Sequence, residues 1–229
     1  MLTTRRNFLK SSLAGTALSA FGVGLALAQD DNWLDLKTDS GDAVTNFKLP
    51  SEISAEGLRG ILWTGSETAD VILLEFFDYN CPYCKRAVGD LDVILKTDTN
   101  FKLGLINNSV LGIASAQAAK VQQAVLKLFG PKRAYDFHVR LFAHRGVNDG
   151  AAAMQVVKDM GLDEARIWGT ADAPDIQMVL GQQMRLASEL GFVATPSFML
   201  DGIGILGYPG PNSVAKMIWS VRSCDKPAC

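Results

Sequence analysis

Two closely spaced cysteines carry the most distinctive chemistry in this chain. Cys81 and Cys84 enclose Pro82 and Tyr83, and the run Val71–Phe77 that leads to them is almost entirely apolar. Such a run suits a strand buried on both faces of a sheet. Two thiols at this spacing can form and break a small disulfide ring. The sequence therefore predicts a redox-active site at the end of a central strand.

A helix is predicted to begin at these cysteines. Beyond Cys84 the apolar residues recur on one helical face, as Ala87, Val88, Leu91, Ile94 and Leu95. Pro82 suits the first turn, where its missing N–H is not needed. Cys81 then lies at the helix N-terminus, where unpaired N–H groups and the helix dipole favour a thiolate. We expect Cys81 to be the nucleophile and Cys84 to resolve mixed disulfides.

One acidic residue interrupts the apolar strand. Glu75 lies inside the run that precedes Cys81, where burial of an ionised carboxylate would be unfavourable. Burial would raise its pKa, which suits a group that accepts and returns the proton of Cys84. The alternative is that Glu75 reaches solvent or pairs with a lysine.

Residues 1–28 have the features of an export signal. Arg5 and Arg6 precede a moderately apolar stretch rich in glycine and alanine, which ends in Ala26-Leu27-Ala28. This pattern resembles a twin-arginine signal with a cleavage site, and its apolar part is shorter than the roughly 20 residues that span a bilayer. We expect export to the periplasm, where a disulfide can persist. A retained membrane anchor is the alternative.

The composition excludes several classes of function. Of 229 residues, 48% are hydrophobic and 20% are charged, with a formal net charge of −2 and no basic block that would indicate nucleic-acid binding. His138 and His144 are spaced so that they face different ways on a helix, so they are interpreted as packing or surface residues. No second Cys-x-x-Cys completes a zinc site, and no cofactor is predicted. The helical methionines are interpreted as core residues, namely Met154, Met160, Met178 and Met184.

The predicted elements form a mixed sheet flanked by helices. Strands are predicted within 44–50 and at 58–64, 71–77, 101–106, 197–200 and 203–206, the last two joined as a hairpin at Asp201-Gly202. Helices are predicted from 84, at 115–129, 134–144, 151–160 and 175–190, and at 211–222.

Two segments resemble a known family. Glu-Phe-Phe-Asp-Tyr-Asn-Cys-Pro-Tyr-Cys-Lys-Arg at 75–86 and Ala-Thr-Pro-Ser-Phe at 194–198, with the helical block between them, resemble the DsbA-like branch of the thioredoxin superfamily. The resemblance implies a thioredoxin fold with an inserted helical domain that forms a cap beside the active site. The predicted divisions are an export signal at 1–28, an extension at 29–57, a thioredoxin-like domain at 58–111 and 186–222, a helical insertion at 112–185 and a cysteine-containing tail at 223–229.

The resemblance also implies roles for individual residues. It places Thr195 and Pro196 in a cis-proline loop against the cysteines, where the Thr195 backbone would pair with an extended client peptide. Pro82 and Tyr83, which lie between the two cysteines, are expected to tune the active site, with Tyr83 exposed beside Cys81.

The implied activity is that of a protein disulfide oxidoreductase, with its direction left open. The tyrosine of Cys-Pro-Tyr-Cys and Thr195 before the proline look like isomerase and reductase relatives, whereas the helical insertion looks like the oxidase. The implied partners are exported proteins with thiols or disulfides and a membrane redox partner that resets the pair. The short extension argues against a large oligomerisation stalk, so a monomer is expected. Another hypothesis is a metal-binding protein or metallochaperone that holds Cu(I) or Zn(II) on the same two thiolates.

A second cysteine pair lies at the end of the sequence. Cys224 and Cys229 are close enough to form a small disulfide loop that contains Pro227. Pairing Cys81 with Cys84 and Cys224 with Cys229 is the simplest arrangement of four cysteines. The tail disulfide is either structural or a second exchange pair that relays electrons to Cys81 and Cys84.

Overall fold

The computed structural model describes residues 33–51, 55 and 57–229, so the predicted export signal at 1–28 lies outside the described residues. The elements follow the order β1 (Asn46–Lys48), β2 (Leu62–Gly65), β3 (Val71–Phe77), α1 (Pro82–Thr97), β4 (Phe101–Asn107), α2 (Ile113–Ala143), α3 (Gly150–Asp159), α4 (Glu164–Ala171), α5 (Pro174–Glu189), β5 (Ser197–Leu200), β6 (Ile203–Leu206) and α6 (Pro211–Cys224). No helix in this described part of the chain is long and apolar enough to cross a membrane.

The strands form one mixed sheet in the order β1-β6-β5-β3-β4-β2. Strand β3 lies in the middle, parallel to β4 and antiparallel to β5. This arrangement confirms the predicted mixed sheet flanked by helices. One detail of β3 differs, because Ile72 is 47% exposed where it borders an open cleft beside Val221 of α6. The rest of the strand is buried, and its C-terminal end leads directly to the cysteines.

The first strand of the sheet comes from the predicted extension. Strand β1 pairs antiparallel with β6, so the extension completes one edge of the sheet. Asp39 also accepts hydrogen bonds from the backbone N–H groups of Asn212 at 3.2 Å and Ser213 at 2.8 Å. These donors belong to the first turn of α6, whose N-cap residue is a glycine without a side-chain acceptor. The extension therefore packs on the body of the protein and caps its last helix.

The predicted break between the helices at 115–129 and 134–144 is confirmed, because Gly130 interrupts α2 with a non-helical φ of 80° and ψ of 175° that glycine tolerates well. The helical block between β4 and β5 differs from the prediction in two respects. Helix α4 is absent from the prediction, since its eight residues bury only Ile167 and Ala171 and give a weak apolar period. The predicted boundary between 185 and 186 falls inside α5, which continues without a helix breaker to Glu189.

Two further details correct the prediction. Met178 and Met184 are 51% and 40% exposed, because α5 turns Ile176, Val179 and Leu186 inward instead. Strand β2 begins at Leu62, later than predicted, since Gly60 has a φ of 74° and breaks the extended run.

Candidate active site

Helix α1 begins at the predicted cysteine pair. Cys81 is the N-cap residue, with an extended backbone at φ −81° and ψ 121°, and Pro82 follows in the first turn. The Cys84 backbone N–H donates to the Cys81 sulfur at 3.4 Å. Cys81 keeps 4% of its surface exposed and Cys84 keeps none. The Cys81 thiol at the helix N-terminus therefore lies in front of the fully buried Cys84 thiol.

The surroundings of the two thiols shift their pKa values in opposite directions. Hydrogen bonding from Cys84, assisted by Thr195 and by backbone N–H groups, lowers the pKa of Cys81 to about 6 despite its partial burial. Burial is the main cause that raises the pKa of Cys84 well above its usual range, helped by the hydrogen bond to Cys81 and the charge of Glu75. At neutral pH Cys81 is thus mostly a thiolate and Cys84 a thiol.

Glu75 is fully buried in the middle of β3. Neither of its carboxyl oxygens has a hydrogen-bond partner within the described part of the chain. Burial first, and the charge of Cys81 second, raise its pKa to about 8. The alternative positions considered for this side chain, in solvent or beside a lysine, are therefore wrong. A carboxyl group with this pKa can gain and lose a proton near neutral pH.

The loop that precedes β5 contacts Cys81 of the active-site pair. The peptide bond between Thr195 and Pro196 is cis. The Cys81 thiol lies 3.0 Å from the Thr195 carbonyl oxygen, to which it donates when protonated. Tyr83, two residues beyond Cys81, is 54% exposed. The structure thus brings together the residues 81–84, 75 and 195–196 that the sequence singled out.

A group of buried polar side chains beside this site is absent from the sequence prediction. The Asp78 carboxylate accepts hydrogen bonds from the Asn80 N–H at 2.7 Å, the Leu111 N–H at 2.9 Å and the Ser115 hydroxyl at 2.6 Å. The side chain of Asn80 accepts from the Asn148 N–H at 2.8 Å and donates to the Asn148 carbonyl at 3.0 Å. The sequence gives one indication of this group, because the polar residues Asp78 and Asn80 closely follow the buried strand β3.

The two histidines occupy different surroundings, as their spacing indicates. His138 is buried against Phe77 and Phe142, and its Nδ1 lies 3.2 Å from the Tyr79 hydroxyl. Burial lowers the pKa of His138 to about 3. His144 instead pairs through Nδ1 with the Asn148 side chain at 3.1 Å. Within the described ranges, no group of three or more His, Cys, Asp or Glu side chains could hold a metal ion.

The tail cysteines form a disulfide at a distance from the active site. Cys224 and Cys229 are bonded, with their Cα atoms 6.4 Å apart. Arg222, in the same helical turn as Cys224, pairs with Asp70, which directly precedes β3. Because strands rise about 3.3 Å per residue, the length of β3 separates this end of the sheet from the Cys81 end by roughly 20 Å. The structure therefore does not bring the two cysteine pairs together.

A family model and several solved structures are similar to this chain. The family model described as thioredoxin matches residues 59–218. A thioredoxin-like oxidoreductase from Silicibacter pomeroyi DSS-3 has a similar structure, with a TM-score of 0.67 and 28% identity over 72% of this chain and 94% of that chain. The thiol-disulfide exchange protein alpha-DsbA2 from Wolbachia pipientis gives a TM-score of 0.65 and 26% identity over 70% of this chain and 87% of that chain.

A curated relative is much longer than this chain. The Na(+)/H(+) antiporter NhaA of Herminiimonas arsenicoxydans is 26% identical over 161 residues, which is 69% of this chain and 25% of that protein. The similarity therefore spans only a quarter of the antiporter.

Proposed function

The chain belongs to the thioredoxin family and is a DsbA-like thiol-disulfide oxidoreductase, and we propose that Cys81 and Cys84 are the pair through which it exchanges disulfides with exported proteins. The observation that carries the proposal is the N-cap position of Cys81, 3.0 Å from the Thr195 carbonyl oxygen and in front of the buried Cys84. In this geometry a client can reach the Cys81 sulfur but not the Cys84 sulfur.

Disulfide transfer to a client proceeds in two exchanges. A client thiolate attacks the Cys81 sulfur of the oxidised protein, the bond between Cys81 and Cys84 breaks, and Cys84 leaves as a thiolate that takes up a proton. A second client thiolate then attacks the client sulfur of the mixed disulfide and expels Cys81 as a thiolate. The client loses two electrons, which the cysteine pair gains. The same steps in reverse reduce a client disulfide.

Glu75 is the group we assign to the proton of Cys84. Its raised pKa of about 8 leaves it largely protonated at neutral pH, so it can supply a proton when Cys84 leaves. In the reverse step the ionised carboxylate accepts that proton and makes Cys84 a nucleophile. Its charge also raises the pKa of Cys84, which is consistent with the two groups sharing one proton-transfer step.

The backbone of Thr195 is the surface we assign to client binding. It lies at the loop before β5 and is partly exposed, with its carbonyl oxygen turned towards Cys81. An extended client peptide would add there as a short strand, with its sulfur facing Cys81. Pro82 and Tyr83 would then tune the helix N-terminus and the exposed rim of the same site.

Stabilisation of the Cys81 thiolate favours one direction of exchange. A thiolate with a pKa near 6 is a good leaving group and stabilises the reduced protein relative to the disulfide. We therefore propose that the protein mainly donates its disulfide to clients in the periplasm. The proposed location is supported by the twin-arginine pattern of Arg5 and Arg6, which lies outside the described residues. A membrane redox partner would reoxidise the pair, and the chain would act as a monomer.

The proposal is tested by two measurements on the full chain. The redox equilibrium of Cys81 and Cys84 with glutathione gives the direction, and oxidative refolding of a reduced model protein gives the activity. We expect the wild-type pair to be oxidising relative to glutathione. We expect Cys81→Ser to abolish the refolding activity. The double change Cys224→Ser and Cys229→Ser is the matched control and should retain the activity. Refolding activity that survives Cys81→Ser, or that disappears with the tail disulfide, would contradict the assignment of the site.

A further inference from the structure

A cavity of about 580 Å³ lies beside the edge strand β2, between helices α2 and α5. Its apolar walls are formed by Ile61, Trp63, Leu126, Ile176 and Val179. None of the described residues that line it belongs to the site assigned to disulfide exchange. The volume falls within the range of about 300 to 1,000 Å³ that small-molecule sites occupy. The cavity is therefore a candidate ligand site separate from the cysteine pair.

Buried amide side chains fix the backbone that forms one wall of this cavity. The Gln123 side chain of α2 donates to the Gly60 carbonyl oxygen at 2.8 Å. The Gln183 side chain of α5 donates to the Arg59 carbonyl oxygen at 3.2 Å. Gly60 also packs so closely on α5 that a Cβ atom there would lie 2.3 Å from Val179. Because both helices hold segment 59–60, this wall of the cavity is formed before any ligand arrives.

The ring of Trp63 forms a second fixed wall. It lies over Gly104 of β4, where an added Cβ atom would come within 2.6 Å of the ring. The Lys102 ammonium group lies 5.4 Å from the ring centroid and donates to the Glu67 carboxylate at 2.8 Å. The ring is held in this way and still remains half-exposed, so it can contact a ligand.

The charged side chains at the rim leave one cation without a carboxylate partner. Lys127 is paired with Asp175, as Lys102 is paired with Glu67. The exposed guanidinium of Arg59 pairs with no carboxylate in the part of the chain that the structure describes, and it donates there only to a methionine sulfur at 3.5 Å. Sulfur is a weak acceptor, whereas a guanidinium binds a carboxylate through two parallel N–H bonds. Arg59 is therefore available to an anion at the rim.

We propose that this cavity binds a small organic carboxylate with an apolar ring, the ring lying against Trp63 and the carboxylate on Arg59. A neutral apolar molecule would leave Arg59 without its partner, and an inorganic anion would leave the apolar walls in contact with water. A ligand that combines the two features satisfies both. The proposal goes beyond disulfide exchange and does not depend on it.

The test uses naphthalene-2-carboxylate as the probe and the neutral naphthalene-2-carboxamide as its matched control. Affinities are measured by calorimetry on the full chain. We expect wild-type protein to bind the carboxylate about tenfold more tightly than the carboxamide, since hydrogen bonds to a charged group contribute at least such a factor. Arg59→Gln should abolish this difference. Arg185→Gln changes an exposed arginine of α5 outside the cavity and should keep it.

Two further measurements locate the probe. Leu126→Trp places a larger side chain in the cavity and should abolish binding of both compounds. The protein has four tryptophans, and the indole N–H signal of Trp63 should shift in NMR spectra when the carboxylate binds. The signals of the other three, which do not line the cavity, should stay in place. Cys81→Ser combined with Cys84→Ser should bind the carboxylate with wild-type affinity.

Several results would overturn the proposal while the exchange activity stands. They are undetectable binding of the carboxylate to wild-type protein, equal affinities for the carboxylate and the carboxamide, and an Arg59→Gln variant that still distinguishes them. Loss of binding in the double cysteine variant would also overturn it, because the probe would then occupy the exchange site. A preference for the carboxylate that disappears in Arg59→Gln and persists in Arg185→Gln, with a shift of the Trp63 signal, supports the proposal.

Discussion

The two active-site thiols differ in protonation because of the groups that face them. Cys81 stands at the start of α1, where hydrogen bonding from the Cys84 side chain, assisted by Thr195 and by backbone N–H groups, lowers its pKa to about 6. Cys84 has no exposed surface and faces the charge of Glu75, so its pKa is raised. Burial also raises the pKa of Glu75. Burial therefore keeps Cys84 and Glu75 protonated at neutral pH, while hydrogen bonding favours the thiolate of Cys81.

Replacement of Glu75 by glutamine should slow the step in which Cys84 attacks a mixed disulfide. The ionised carboxylate is needed as the base, so the wild-type rate should rise with pH through about 8. Glu75→Gln should lose this rise and fall by about 10²-fold, the lower end of typical acid–base contributions. The rate is measured by trapping free Cys84 during decay of a Cys81 mixed disulfide with a peptide.

Glu67→Gln provides the control for this experiment. Glu67 is an exposed carboxylate paired with Lys102, so its loss should leave the pH profile as in the wild type. A Glu75→Gln profile that coincides with the wild-type profile would remove Glu75 from the mechanism.

At the scale of elements, the helical insertion is held to the active-site loop by buried and partly buried hydrogen bonds. Asp78 follows the last residue of β3, and its carboxylate accepts hydrogen bonds from the Leu111 N–H, directly before the insertion, and from the Ser115 hydroxyl in α2. Asn148, between α2 and α3, is paired with Asn80 through its backbone. The loop that carries the cysteines therefore depends on two separate contacts with the insertion.

Loss of the Asp78 carboxylate should destabilise the protein. Asp78→Ala leaves three donors without their acceptor, and each unsatisfied buried group costs about 1–3 kcal/mol. Because some donors will find water, we expect a total loss of about 2–4 kcal/mol in the free energy of unfolding. Urea unfolding measures this loss. As a control, Asp35→Ala removes only an exposed ion pair with Lys37 and should change the free energy of unfolding by less than about 1 kcal/mol. A urea midpoint of Asp78→Ala equal to that of Asp35→Ala would contradict the stabilising role of the Asp78 carboxylate.

The elements that sequence predicted well are those with a strong local signal. Strands β3, β5 and β6 coincide with apolar runs bounded by turns, and α1 has a proline at its start and a regular apolar face. The role of Asp78 has no such signal, because the partners that tie it to the insertion, Leu111 and Ser115, lie more than 30 residues away along the chain. The pairing of β1 with β6 likewise has no such signal, because a three-residue strand is too short for its pattern to specify its partner.

For the whole molecule, two buried groups make the free energy of unfolding depend on pH in opposite ways. The pKa of Glu75 is about 8 in the folded protein against 4.5 for an unperturbed group, so the folded state binds more protons between these values and stability falls as pH rises. The pKa of His138 is about 3 against 6.5, so the unfolded state binds more protons between these values and stability falls as pH drops. The two effects oppose each other between pH 4.5 and 6.5.

Above pH 6.5 the contribution of Glu75 acts without that of His138. Reduced Cys81, whose pKa is lowered to about 6, would oppose it, so the measurement uses oxidised protein, in which neither active-site thiol titrates. One unit of pKa difference corresponds to about 1.4 kcal/mol. We therefore expect the unfolding free energy of the oxidised wild type to decrease by about 2 kcal/mol between pH 6.5 and pH 8, as measured by urea denaturation at several pH values.

Glu75→Gln cannot ionise, so its stability should be nearly constant over the same interval and should exceed that of the wild type at pH 8. Glu67→Gln should follow the wild-type curve, because the carboxylate that it removes is exposed. If the wild type and Glu75→Gln lose stability in parallel between pH 6.5 and pH 8, the Glu75 carboxyl group is not held protonated by burial. Its assignment as the proton carrier for Cys84 would then lose its physical basis, whatever the rates of the glutamine variant.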